Sequence, residues 1–241
     1  MMDPAVIQQL GFTPAPTQTK HRILLQAGGP KGFGKTTLAL TAEGPIFYYK
    51  FETGDEGVIE PFAAAGKEIY TYRVYYNRTN WKEVWTQFLD NVSQTCNQMF
   101  GKQGTFIFDT MTEVYELGRM AHFGGRLSQV VPREYGVVYV DLKEIVRNVE
   151  ASGLNGIFIQ KMGPAYDNKD LLEVKGWGDL KWDMQVVLRL QRFEGTPEAP
   201  GTRFLGYIEE CRQKGSLVGT WLENGGSNPL DIGHLTGLVH G

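Results

Sequence analysis

Cysteine is scarce in this sequence: Cys96 and Cys211 stand far apart, with no C-x-x-C pair and no histidine at metal-ligand spacing. That argues against a disulfide frame or a zinc site and makes a reduced, intracellular setting the expectation. No apolar run approaches the ~18 residues needed to cross a membrane, and the N-terminus lacks a signal-peptide core. A soluble, cytoplasmic protein without a membrane partner is expected. Charge of one sign is lacking too: 24 Lys and Arg face 27 Asp and Glu, for a net −3 and a pI of about 5.9. The chain is no polycation, so any nucleic-acid contact needs local basic groups, or groups gathered by assembly of subunits. Internal repeats, low-complexity tracts, Cys/His clusters and a Ser–His–Asp signature are all missing.

What is present begins with a core: 241 residues at 41% hydrophobic and 12% aromatic suit one α/β domain, alone or with a small appendage. The most specific stretch is Gly29-Pro30-Lys31-Gly32-Phe33-Gly34-Lys35-Thr36, followed by Thr37, which matches the phosphate-binding loop G-x-x-x-x-G-K-[ST]. Its flanks fit. Residues 22–27 read as a short apolar strand, and 36–40 carry no breaker before Gly44 and Pro45, as a helix start requires. In that setting glycines turn backbone N–H groups around a β-phosphate, and the helix N-terminus adds partial positive charge. Lys35 is then expected on the β- and γ-phosphates and the Thr36 hydroxyl on Mg²⁺.

A second anchor lies at 104–110, where an apolar strand ends in Asp109. Many buried strands end so, but downstream of a phosphate loop the pattern is that of the carboxylate that holds Mg²⁺ or its bound water. Thr110 and Thr112 follow at the same edge. The aromatic strand 45–51 ends at Glu52, in an acidic, glycine-bearing turn. Ligands of open parallel sheets gather beyond such carboxyl ends. Glu52 either orients the attacking water or, with Asp55, caps the next helix at 57–65; Glu113 is a second candidate base. The strand 156–161 carries Gln160 near its end, either an amide satisfied by backbone or a γ-phosphate sensor.

Elsewhere 1–21 reads as a short helix (4–10) and an extended lead-in, and 67–76 as a strand whose tyrosines face core rather than stack on bases. Helices are expected at 81–99, with Asn80 as cap and the two tryptophans in the core, at 111–120 and at 135–151. Residues 122–132 read as surface loop, 162–178 as loop or ragged hairpin, and 182–193 with 203–209 as an antiparallel hairpin. Arg189, Arg192, Arg203, Arg212 and Lys214 flank that hairpin. They either protect a sheet edge or supply a cation to a neighbouring subunit's γ-phosphate. The tail 215–241 is glycine-rich and reads as loosely structured.

On GPKGFGKTT (29–37), YKFETGDEG (49–57), TFIFDT (105–110), REYGVVYVDLKEIVRNV (133–149), GIFIQKM (156–162) and VVLRLQR (186–192) to ECRQKG (210–215), the sequence resembles the phage-encoded RecA-like P-loop ATPases of the Sak type. The resemblance spans roughly residues 20–215. It implies a RecA-like P-loop NTPase core: a mostly parallel twisted sheet flanked by helices, with a C-terminal antiparallel hairpin. It divides the chain into a lead-in (1–21), the ATPase domain (22–215) and a tail (216–241). It places Glu52 where RecA-type proteins carry the catalytic glutamate, ahead of Glu113. It also implies ATP and Mg²⁺ as cofactors, DNA-stimulated ATP hydrolysis, binding to single-stranded DNA, and assembly into a homo-oligomeric ring or filament. The setting would be phage recombination or annealing in the host cytoplasm, beside a single-strand DNA-binding protein. A different expectation is a nucleotide-gated assembly module for a replication, packaging or defence partner, with slight turnover. A nucleotide or small-molecule kinase is disfavoured by the lack of an arginine-rich lid.

Overall fold

Short runs of β-branched and aromatic residues, closed by glycine, proline or a helix start, set the strand positions. The computed structural model describes residues 22–52, 57–77, 79–195 and 201–241. In it β1 (Leu24–Gly29) leads through α1 (Lys35–Leu40), β2 (Ile46–Lys50) and α2 (Ile59–Ala64) to β3 (Ile69–Arg73). Next come α3 (Trp81–Met99), β4 (Thr105–Asp109), α4 (Met111–Phe123), α5 (Gly136–Ser152) and β5 (Asn155–Pro164). A short β6 (Leu172–Val174), β7 (Val186–Phe193), β8 (Arg203–Cys211), β9 (Trp221–Glu223) and α6 (Ile232–His240) complete the chain.

The strands form one sheet in the order β3-β2-β4-β5-β1-β7-β8-β9, with β6 pairing to β5. Pairings from β3 through β7 are parallel, whereas β7–β8, β8–β9 and β5–β6 are antiparallel. Parallel neighbours need crossovers, and these put helices on the sheet faces. The expected mostly parallel sheet with flanking helices and a terminal antiparallel hairpin is therefore what the chain forms.

The two faces differ in chemistry. One packs an aromatic layer under α3, α4 and α5: Phe108 stacks on Tyr49 at 5.0 Å and on Phe158 at 5.2 Å between ring centroids. The other is aliphatic, with Leu25, Ile107, Ile157 and Leu188 against Leu38 and Leu40 of α1 and Leu235 of α6. Both layers bury what strand alternation aims at them. Trp85 is buried in the aromatic layer with its Nε1–H on Asp141 (2.9 Å), so the tryptophan belongs to the core as expected.

Several boundaries move. The region 215–241 is not loose: Leu222, Ile232, Leu235 and Val239 are buried in the aliphatic layer, and Asp231 caps α6 by accepting from His234 N at 2.7 Å. Gly233 and Gly237 inside α6 mask an apolar spacing of three and four residues that the sheet face then rewards. Asn80 flanks α3, but its side chain accepts from Asn77 N (2.7 Å) and caps no helical N–H. Residues 124–129 and 132–135 are 3₁₀ turns rather than open loop, and 162–178 includes the β5–β6 hairpin. The third strand is an edge strand with Tyr70 half exposed; its Ile69 packs against the aliphatic layer and its Tyr72 against the aromatic one. The expected helix at 4–10, the lead-in 1–21 and Asp55 lie outside the described residues. Among the described residues no helix is long and apolar enough to cross a membrane.

Candidate functional site

The carboxyl ends of β1, β2, β4 and β5 converge on a cleft of about 380 Å³ lined by Lys31, Gly32, Lys35, Thr36, Tyr48, Glu52, Asp109, Thr110, Lys161 and Met162. The glycine-rich loop forms its first wall. Gly32 and Gly34 both adopt φ 78°, a left-handed conformation that only glycine takes without strain. The β7–β8 hairpin backs the loop: a Cβ at Gly34 would stand 3.3 Å from the Phe204 ring, and one at Gly29 3.3 Å from Leu190. Phe33 packs into the aliphatic layer, and Thr37 points away from the cleft toward a second hollow.

Inside the loop the Lys35 ammonium donates to the carbonyls of Gly29 (2.9 Å) and Pro30 (2.7 Å). Burial lowers its pKa, an effect that the nearby Asp109 and Glu52 carboxylates offset in part. The Thr36 hydroxyl donates to Asp109 Oδ2 at 2.6 Å, and the Tyr48 hydroxyl to the same oxygen at 2.9 Å. These bonds join the loop to the end of β4. Asp109 is only 7% exposed, and desolvation raises its carboxyl pKa against the opposing pull of both hydroxyls. The following peptide, Asp109–Thr110, is cis. Thr110 then caps α4, accepting from Glu113 N at 3.3 Å.

The second wall is ionic. Lys161 Nζ stands 2.5 Å from Glu52 Oε1 and 2.5 Å from Glu113 Oε1, and the Thr110 hydroxyl donates to Glu52 at 3.3 Å. Burial works against the Lys161 charge, but the bonds to Glu113 and Glu52 outweigh it and raise its pKa. Glu52 lines the cleft. Glu113 lies behind Lys161 and receives the Tyr76 hydroxyl at 3.1 Å. Thr112 fastens the base of the β5–β6 hairpin to α4, accepting from Lys161 N (3.1 Å) and donating to Lys175 O (3.0 Å).

Lys35, Thr36, Asp109 and Glu52, picked out from sequence, are thus brought together with Lys31 and Gly32. Gln160 is not. Side chains alternate along β5, and Gln160 projects to the opposite face, where its Nε2 donates to Trp177 O at 2.8 Å. Lys161, one residue on, reaches the cleft in its stead. Sequence reading missed both Lys161 and Tyr48. Their strands are apolar on both faces, so periodicity gives no sign of which side chains face the loop.

The basic residues of the terminal hairpin all have partners in their own chain: Arg189 with Glu209 (2.6 Å), Arg192 with Glu194 (2.7 Å), Arg203 with Glu223 (2.5 Å), Lys214 with Leu238 O (3.1 Å) and Arg212 with Trp182 O.

A hydroxyl and a carboxylate oxygen, set together at the phosphate loop, are the hard donors that Mg²⁺ accepts. Mg²⁺ takes few protein ligands and completes its shell with phosphate and water. Thr36 and Asp109 fit that ion.

No protein-family model matches this chain, and no curated protein matches it either. Among solved structures, the KaiC-like protein PH0186 of Pyrococcus horikoshii superposes with a TM-score of 0.50 at 14% identity, over 79% of this chain and 80% of its own. The RadB recombinase gives 0.46 at 18% identity over 91% and 92%. The ATPase EscN of enteropathogenic E. coli gives 0.49 at 13% identity over 71% of this chain and 43% of its own. The first similarity, with the sheet order and the loop, shows the fold to be a RecA-like P-loop core.

Proposed function

We propose that this chain is a RecA-like ATPase that couples Mg²⁺-dependent ATP hydrolysis to single-stranded DNA binding in phage recombination or annealing. One observation carries the reading: the loop hydroxyl of Thr36 and the strand-end carboxylate of Asp109 meet at 2.6 Å in a cleft that also holds Lys35 and Glu52. Backbone N–H groups of 29–36 and the Lys35 ammonium bind the phosphates, which replace the loop carbonyls as its partners. Thr36 and Asp109 hold Mg²⁺, which when bound neutralises charge on the β- and γ-phosphate oxygens. Glu52, at the cleft edge, accepts the proton of the attacking water, and Glu113 is set back behind Lys161. Lys161 keeps the Glu52 carboxylate at the cleft.

The DNA and phage parts rest on the resemblance to Sak-type proteins. So does assembly as a ring or filament beside a single-strand DNA-binding protein. In such an assembly one of the basic residues flanking the β7–β8 hairpin is presented to the next subunit's γ-phosphate. ATPase rate with and without single-stranded DNA tests the whole reading. Stimulation by DNA, lost in Lys35→Ala with a fall of about 10²–10³ in kcat, is the expected result. DNA affinity should also decline steeply with salt. Hydrolysis that DNA leaves unchanged, with no DNA retained at low salt, would reduce the assignment to a nucleotide-gated module.

A further inference from the structure

The phosphate-loop pattern and the strand-end aspartate specify nothing about β2, yet a β2 side chain, Tyr48, lines the cleft. Strand alternation put it there. β2 pairs with β4 in parallel, Tyr48 opposite Ile107 and Lys50 opposite Asp109. Tyr48 and Ile107 both belong to the aliphatic layer, and Asp109, two residues beyond Ile107, projects from the same face. Tyr48 and Asp109 are therefore diagonal neighbours across the two strands, a separation that an aromatic side chain spans.

Tyr48 is 1% exposed, and its hydroxyl donates to Asp109 Oδ2 at 2.9 Å. A buried phenol needs an acceptor, and this one finds it in the carboxylate beside the loop. The Thr36 hydroxyl donates to the same oxygen at 2.6 Å. The two donors differ in what holds them. Thr36 stands in the first turn of α1, directly after the glycine-rich loop, and its own oxygen is the one offered to Mg²⁺. Tyr48 is held by the sheet and the layer packed on it. Its bond aims the carboxylate the same way with or without a ligand on the loop.

We propose that Tyr48 is a positioning residue for the metal site: its hydroxyl orients Asp109 toward Mg²⁺ without itself touching ion or nucleotide. This role presupposes that the cleft takes a nucleotide with Mg²⁺, and it deepens that reading. Partners of this kind fix a ligand's orientation before the ion arrives, and losing one typically weakens metal binding about 10–100-fold.

Tyr48→Phe removes the hydroxyl and keeps the ring in the layer. Its effect is read by calorimetry on the full chain with a non-hydrolysable ATP analogue, across a Mg²⁺ titration and again in chelator. The Mg²⁺ concentration that half-saturates the gain in analogue affinity should rise about tenfold, while affinity in chelator stays unchanged. In turnover assays kcat should return to within about twofold of the unaltered chain once Mg²⁺ saturates. Ile107→Val loosens the same layer without touching the bond, and should leave the Mg²⁺ requirement where it was. Each of four results would overturn the role: no rise in Tyr48→Phe, an equal loss of affinity with Mg²⁺ and in chelator, a kcat that stays low at saturating Mg²⁺, or a similar rise in Ile107→Val. An unaltered chain whose analogue affinity ignores Mg²⁺, or a Mg²⁺ effect that survives Asp109→Asn, would instead strike the reading of the cleft itself.

Discussion

The two walls of the cleft are built on different physics. On one, Asp109 is buried, its Oδ2 holds two hydroxyls at 2.6 and 2.9 Å, and the loop beside it is clamped between a strand and Phe204. On the other, Glu52 and Lys161 form an ion pair with side chains 38% and 39% exposed, shared with Glu113. A buried oxygen with fixed donors keeps one arrangement, because breaking it strands a polar group away from water. A half-exposed ion pair is screened and trades partners at small cost. The difference teaches a division of labour: the first wall suits binding, which needs a preset site, and the second suits turnover, which needs groups that re-pair as charge moves.

Glu52→Gln should separate the walls most sharply, lowering kcat by about 10²–10⁴ while a titration with a non-hydrolysable ATP analogue shows unchanged affinity. Turnover at the normal rate would move the base to another residue. A smaller effect is expected of Lys161→Met, which leaves Glu52 and Glu113 as unneutralised neighbours. We expect kcat to fall about tenfold in single-turnover assays, while stability to denaturant changes by less than about 1 kcal/mol, because the pair is exposed. A stability loss of several kcal/mol would show the second wall to be as fixed as the first.

The smallest effect concerns Asp109 without ligand. Desolvation raises its carboxyl pKa in the folded chain, so the folded state binds the extra proton more readily than the unfolded one. Its favourable contribution is present below the ordinary aspartate value and is lost as pH rises through the raised value. Asp109→Asn should flatten that part of the ligand-free thermal midpoint against pH. The same variant should abolish the difference between nucleotide affinities measured with Mg²⁺ and with chelator. A midpoint profile unchanged by the substitution would mean that the two hydroxyls fully compensate the burial.

Lys35, Thr36 and Asp109 were legible because their chemistry is tied to local geometry: a glycine-rich turn between strand and helix, and a carboxylate at a strand end. Glu52 was legible only as one of two choices, since an acid after a strand also suits a helix cap. Gln160 shows the limit. Where both faces of β5 are buried, an amide and a lysine in succession carry no sign of which one meets the ligand. The register with β1, which pairs Gln160 with Gly28 and Lys161 with Gly29, decides it. The tail was misread for a related reason, since glycine content outweighed three apolar positions that gain meaning only against Leu25 and Leu188.

Local sequence by itself determined the phosphate loop, the strand-end aspartate, the α/β alternation and the terminal hairpin, because each depends on residues close together in the chain. Tertiary structure alone decided that Tyr48 and Lys161 join the site, that Glu113 stands behind a lysine, and that Phe204, Asn224 and Leu230 approach the start of α1. Those residues lie between about ten and 195 positions from the loop in sequence, and only the parallel crossovers and the return of β8 beside β7 bring them near.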